Sequence, residues 1–278
     1  MEWPGLPPHR PLVMGVLNVT PDSFSDGGRH LDAASAIAAG RRMLADGADL
    51  LDIGGESTRP GALPTLPDIE QARVLPIITA LAAEGAVISV DTRNAATMAA
   101  ALAAGARIVN DVSALRHDPA AAGVLAKSDC QVILMHMRGN PMNMMTHKSY
   151  GDIAEDVTTE LAQRIAFAVS AGIARERIAI DPGIGFAKGL AENLALLPRL
   201  SVLSRLGCPI VVGVSRKGFI GALSEEVDPK MRAPGSIVAG LVAVQQGASM
   251  LRVHDVAETV QAMRVWRGLS RQASDSIL

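Results

Sequence analysis

Leu12-Val13-Met14-Gly15-Val16-Leu17 is a short apolar run that leads straight into Asn18. The pattern recurs along the chain. Leu50–Ile53 precedes Glu56 to Arg59, Val87–Val90 precedes Asp91, and Ile108–Val109 precedes Asn110 and Asp111. Val132–Met135 precedes His136, Ile178–Ile180 precedes Asp181, and Ile210–Val214 precedes Ser215 to Lys217. Met250–Val253 carries Arg252 and leads into His254. Alanine-rich, helix-forming sequence fills most of the gaps. Eight strand–helix units of about 30–35 residues fit a (β/α)8 barrel of the usual length, roughly 250 residues. The C-terminal ends of such strands converge on one mouth, so polar groups scattered through the sequence meet in space. The pattern is that of an enzyme.

The expected class is therefore α/β, a single (β/α)8 TIM barrel over residues 1–278. Residues 1–11 form an N-terminal extension, and the polar tail over 268–278 is expected to fray. Loops after strands one and two are the longest, and long loops inside compact domains are usually functional. The rival fold is an open doubly wound sheet. It would carry a glycine-rich phosphate loop after strand one, and Asn18-Val19-Thr20-Pro21 is not one. Asp91-Thr92 is expected to cap the helix Ala95–Ala104.

Composition narrows the function. The 278 residues are 49% hydrophobic but only 3% aromatic, so aliphatic and alanine packing must build the core. A formal charge of -2 gives no global attraction to nucleic acid or to an anionic membrane. An anionic ligand must then be held by local cations. No apolar stretch reaches the roughly 20 residues of a membrane span, and residues 1–11 lack the apolar core of a secretory signal. Cys130 and Cys208 precede predicted strands, away from the mouth, and form no Cys-x-x-Cys pair. They read as reduced thiols of a cytoplasmic protein.

Asn18 offers one neutral oxygen, suited to Mg²⁺ whose other ligands are water and phosphate. Asp91 and Asp181 put two carboxylates at one mouth, where they can accept from heterocycle N–H groups or stabilise cationic character. Asn110 and Asp111 are strand neighbours on opposite faces, so one can point into the mouth while the other caps or supports the loop; an asparagine offers both a donor and an acceptor. Arg252 and His254 lie two apart on one face and suit an anion; Arg can clamp phosphate bidentately. Lys217 suits a phosphate ligand, a Schiff-base amine or a solvated surface. His136 lacks metal-binding partners in sequence, so a packing role is expected, with Met135 as an apolar wall. Met142, Met144 and Met145 read as loop packing.

With these residues in hand, the chain resembles the dihydropteroate synthase family of pterin-binding barrels. The likeness runs from Met14 to Val265. It includes Met14 to Gly28, Asp52-Ile53-Gly54-Gly55-Glu56-Ser57-Thr58-Arg59-Pro60-Gly61, Ser89-Val90-Asp91-Thr92 and Ile108-Val109-Asn110-Asp111. It continues through Leu134 to Gly139, Asp181-Pro182-Gly183-Ile184-Gly185-Phe186, Ser215-Arg216-Lys217 and Arg252-Val253-His254-Asp255. The resemblance implies a transferase that joins (7,8-dihydropterin-6-yl)methyl diphosphate to 4-aminobenzoate in folate synthesis. By similarity, Asp91, Asn110, Asp181 and Lys217 hold the pterin, flanked by Met135 and Phe186. Arg252, His254 and Asn18, the last through Mg²⁺, take the diphosphate. Thr58 and Arg59 close over it. Phe24, Pro60, Ser215 and Lys217 border the 4-aminobenzoate pocket, where sulfonamides compete. The catalytic set is Asp91, Lys217 and Arg252, and a cytoplasmic homodimer is implied. Two alternatives stay open: a methyltetrahydrofolate–corrinoid methyltransferase and an idle pterin-binding paralogue. The chain departs from the family pattern at Ala187-Lys188-Gly189, where Gly-Lys-Thr is usual, and in the proline-rich continuation of loop two.

Overall fold

A computed structural model describes residues 10–20 and 29–275. The elements run β1 Leu12–Asn18, α1 Arg29–Ala45, β2 Leu50–Gly54, α2 Pro67–Ala83, β3 Ile88–Asp91 and α3 Ala95–Ala103. Then come β4 Ile108–Asp111, α4 Ala121–Ala126, β5 Gln131–Met135, α5 Ile153–Ser170, β6 Ile178–Asp181 and α6 Leu190–Leu196. The chain ends with β7 Val211–Val212, α7 Gly218–Ser224, α8 Ala233–Gln245, β8 Met250–Val253 and α9 Val256–Asp275. The last helix runs past Arg267 into the polar tail that the sequence expects to fray.

All strand pairs are parallel, in the order β6-β5-β4-β3-β2-β1-β8-β7. The two ends of that order meet at one bridge, Ile180 to Ile210, where the Ile180 N–H donates to the Pro209 carbonyl at 2.9 Å. The eight strands thus make the (β/α)8 barrel expected from the sequence, with a thin seam between β6 and β7. Strand β7 is shorter than its apolar run Ile210–Val214 suggests. Ile210 makes only the isolated bridge to Ile180, and pairing with β8 stops at Val212.

Alternation along the strands sorts side chains into two cores. Leu12, Met14, Leu50, Ile108, Ile133, Ala179, Val211 and Met250 form one cluster drawn from strands alone, the plug inside the barrel. Their strand neighbours, such as Val13, Leu51, Val90, Val109 and Val132, pack outward against the helices. Pro67 opens α2, where its fixed φ and missing N–H suit a first turn. Asp152 caps α5 by accepting from the Ala154 and Glu155 N–H groups. Helix α3 is capped otherwise than the sequence suggests. Asp118, from the segment after β4, accepts from the Ala95 N–H at 2.9 Å, which leaves Asp91 to face the mouth. Both cysteines are free and buried. No described helix is long and apolar enough to cross a membrane.

Candidate active site

Two residues beyond the apolar plug, the inward positions turn polar. Asp52, Ser89, Asn110, Asp181 and Arg252 occupy them, with Met135 among them. Gly54 and Asp91 come one step further along β2 and β3. A cleft of about 590 Å³ opens above this layer.

Asp52 is the hub. It is fully buried, and its Oδ2 accepts from Arg252 Nε at 2.6 Å and from Asn110 Nδ2 at 3.0 Å. Arg252 Nη2 donates to Asp91 Oδ2 at 2.8 Å. One guanidinium therefore joins two buried carboxylates, using two of its five N–H groups. On their other side the carboxylates are unpaired: Asp52 Oδ1 and Asp91 Oδ1 are buried with no protein partner, as is Ser89 Oγ. Buried acceptors left open in this way cost stability, and a ligand bearing N–H groups would satisfy them.

Burial sets the protonation of the site. It pushes the Asp91 carboxyl up to about 7, against the pull of Arg252. Asp181 is also raised by burial, partly offset by the Gly183 N–H, which donates to its Oδ1 at 2.6 Å. Lys217 is lowered to about 8 by burial and by Arg252. Burial works against the charge of Arg252 too, but Asp52 and Asp91 outweigh it and hold the guanidinium protonated.

The sequence-predicted residues gather as follows. Asn18, Thr58, Arg59, Pro60, Asp91, Phe186, Ser215, Lys217, Arg252 and His254 line the cleft. Asn110, Met135 and Asp181 are buried at its base. Phe24 lies outside the described residues. The Lys217 ammonium stands 4.2 Å over the Phe186 ring. Ser215 Oγ accepts from the His254 N–H at 3.1 Å and lies 3.0 Å from its Nδ1. Burial, Arg252 and Arg216 pull the His254 imidazole down to about 3, which leaves the ring neutral near pH 7.

Loop two is anchored from below. Glu56 takes a two-point bridge from Arg93, at 2.8 and 2.9 Å, and accepts from the Thr65 N–H at 2.9 Å. The Gly61 N–H donates to the Pro141 carbonyl at 2.9 Å, which ties loop two to the loop after β5. Met144 of that loop is buried with Val112, Met135, Met137 and Ala187, against a partly buried Phe186, while Met142 and Met145 are exposed. Asp111 turns away from the cleft and accepts from the Ser113 and Leu115 N–H groups. His136 is buried between Lys188 and Glu160.

Sequence reasoning missed Asp52, the Glu56–Arg93 bridge and Lys188. The signal for Asp52 was a lone charge inside Leu50-Leu51-Asp52-Ile53, at the inward phase shared with Leu50. Among the described residues no group of three or more His, Cys, Asp or Glu side chains could hold a metal ion. Asn18 sits beside Gly54, whose Cβ would lie 3.7 Å from Asn18 Oδ1 and 3.4 Å from Asp91 Cβ. One neutral amide oxygen suits Mg²⁺ only if phosphate and water complete the shell.

Residues 14–254 match the model of the pterin binding enzyme family. The dihydropteroate synthase of Neisseria meningitidis serogroup C is 44% identical over 263 residues, 94% of this chain and 93% of that protein. The structure of Xanthomonas albilineans dihydropteroate synthase with 4-aminobenzoic acid superimposes with a TM-score of 0.89 at 48% identity, covering 94% of this chain and 93% of that one. The Yersinia pestis dihydropteroate synthase in a sulfonamide drug complex gives 0.89 at 44% identity, covering 94% and 95%.

Proposed function

Because this chain belongs to the pterin-binding enzyme family, we propose that it joins (7,8-dihydropterin-6-yl)methyl diphosphate to 4-aminobenzoate, the dihydropteroate synthase reaction of folate synthesis. The observation that carries this reading is Arg252, held between Asp52 and Asp91 at the base of the cleft. It stands where a flat, N–H-rich heterocycle would meet acids on one side and its diphosphate would meet a cation on the other. Asp91, Asn110 and Asp181 receive the pterin edge, and Phe186 with Met135 covers its faces. Arg252 takes the diphosphate, with His254 as a neutral donor. Thr58 and Arg59, on the loop anchored by Glu56, close over it. Pro60, Ser215 and Lys217 border the 4-aminobenzoate position, where sulfonamides compete.

Asn18 would hold Mg²⁺ through its amide oxygen. When bound, the ion neutralises charge on the diphosphate. The C–O bond between methylene and diphosphate breaks, and its electron pair leaves with the diphosphate. The methylene is then cationic and conjugated to the pterin. Asp91, as a carboxylate in a water-poor site, stabilises that charge. The amine nitrogen attacks, the C–N bond forms and the surplus proton leaves the nitrogen. No strong base is needed. Closed loops keep water from capturing the cation. The enzyme works in the cytoplasm as a homodimer, and exposed Val238 on α8 and Val265 on α9 offer apolar surface for pairing.

The test is turnover of the two substrates with Mg²⁺, following diphosphate and dihydropteroate. Product whose formation a sulfonamide inhibits competitively against 4-aminobenzoate supports the reading. Pterin binding without product overturns it in favour of an idle paralogue.

A further inference from the structure

Lys188 is the largest fully buried side chain of the described residues, and the chemistry above does not use it. Burying an ammonium is costly unless every N–H finds an acceptor. Here three acceptors surround Nζ: His136 Nδ1 at 2.8 Å, the Gly183 carbonyl at 3.1 Å and the Phe186 carbonyl at 3.0 Å. An ammonium has three protons, so the match is complete.

The two carbonyls belong to the turn that follows β6. Gly183, Gly185 and Ala187 take φ values of 66°, 81° and 51°, which fold the segment around Nζ. Gly183 is pressed so closely on β5 that a Cβ there would lie 1.9 Å from the His136 carbonyl oxygen. The left-handed Ala187 costs energy, partly offset by burying its methyl in the methionine cluster. The outer side of the turn is the floor of the cleft. The Gly183 N–H fixes the Asp181 carboxylate at 2.6 Å. The Phe186 ring underlies Lys217 at 4.2 Å, and a Cβ on Gly185 would lie 3.3 Å from Lys217 Cδ.

The chain of contacts continues outward. Because the ammonium donates to Nδ1, the neutral imidazole of His136 carries its proton on Nε2, which donates to Glu160 Oε2 at 3.0 Å. Arg138 holds the other Glu160 oxygen through Nε at 2.8 Å. Burial and Lys188 pull His136 down to about 4, and burial lowers Lys188 itself to about 7; because Glu160 is held ionised by His136 and Arg138, Nε2 of the neutral ring donates to it and Nδ1 is left to accept from Nζ.

We propose that Lys188 is a positioning residue for pterin binding: its ammonium pins the turn from Gly183 to Phe186 from within, and Glu160, through His136, holds the pin in place. This rests on the pterin site proposed above. Removing the pin frees Asp181, Phe186 and Lys217 together. It leaves loop two and its 4-aminobenzoate wall on their separate anchor, Glu56–Arg93.

The test uses the full chain and two readouts. One is calorimetric titration with 6-hydroxymethyl-7,8-dihydropterin; the other is KM for each substrate. Lys188→Met should weaken pterin binding about tenfold to a hundredfold, the effect of orphaned buried acceptors. KM for 4-aminobenzoate, at saturating pterin diphosphate, should rise less, by about threefold at most, because only Lys217 of its border rests on this turn while Pro60 and Ser215 do not. Glu160→Ala, on the partly exposed face of α5, should weaken pterin binding about threefold to tenfold, and Glu160→Gln, which still accepts from His136, should restore it. A folded Lys188→Met protein with wild-type pterin affinity overturns the proposal, as does an equal rise in both KM values. If Lys188→Met does not fold, Glu160→Ala decides, and unchanged pterin affinity there is equally fatal. Wild-type titration and turnover test the function itself, whereas the ratio of variant to wild-type affinity tests only the pin.

Discussion

Replacing Asp91 by asparagine keeps the side chain's shape and removes its charge. Burial has raised this carboxyl from 3.8 to about 7, with Arg252 opposing. A carboxyl that binds its proton more tightly in the folded state stabilises the fold fully at pH values below its unfolded pKa. That contribution is lost as pH rises through the folded value. The ligand-free wild type should therefore lose thermal stability between about pH 4 and pH 7, and Asp91→Asn should flatten the slope. Turnover should respond in the opposite sense. The wild-type rate rises with pH through about 7 as the carboxylate forms. A carboxylate and a cation about 5 Å apart, at an effective dielectric constant near 20, attract by ~3 kcal/mol. Forfeiting that attraction slows the bond-breaking step on the order of a hundredfold. Melting curves across pH, with initial rates of diphosphate release over the same range, check both halves. A variant within about threefold of the wild-type rate near pH 8 would refute the electrostatic role of Asp91. A wild-type melting slope that survives the substitution would refute the assignment of the titration.

Arg252→Lys keeps a charge but loses the fork, so it can serve only one of Asp52 and Asp91. KM for the pterin diphosphate should rise by about tenfold or more in steady-state kinetics. Arg93→Met strands Glu56, and breaking a buried pair typically costs ~3 kcal/mol. The melting temperature should fall by roughly 6–12 °C, and KM for 4-aminobenzoate should rise as loop two loosens. Gly183→Ala drives a methyl into the His136 carbonyl. It should give little folded protein by circular dichroism, whereas Gly61→Ala, with no atom within 4 Å of its Cβ, should cost only left-handed strain of about 1–2 kcal/mol.

Much of the fold was legible because a barrel strand is locally written: a short apolar run, then a polar end. The same alternation put Asn110 and Asp111 on opposite faces, and the structure turns Asn110 inward and Asp111 outward. The alternation was misread at Asp52, where a charge inside an apolar run passed as strand interior, because the partner that makes the charge tolerable lies on β8. Lys188 was hidden for a similar reason. Nothing in Phe186-Ala187-Lys188-Gly189 announces that the lysine turns inward, since its acceptors come from β5 and from backbone carbonyls. The cap on Ala95 by Asp118 also spans two units. Local chemistry was readable, and contacts made across units were not.

Strand β1 pairs with β8, and Asp52 meets Arg252 across 200 residues of sequence. During synthesis the chain emerges from its N-terminus at about 5–20 residues per second. Six or seven strands are thus free of the ribosome before the last can dock. Until then β1 presents an unpaired edge and the growing half-barrel carries two inward carboxylates without their counter-ion. The charge that bridges Asp52 and Asp91 is also the charge that lets the final strand settle. A chain cut short before β8 therefore lacks both the strand that pairs with β1 and β7 and the guanidinium that joins Asp52 to Asp91.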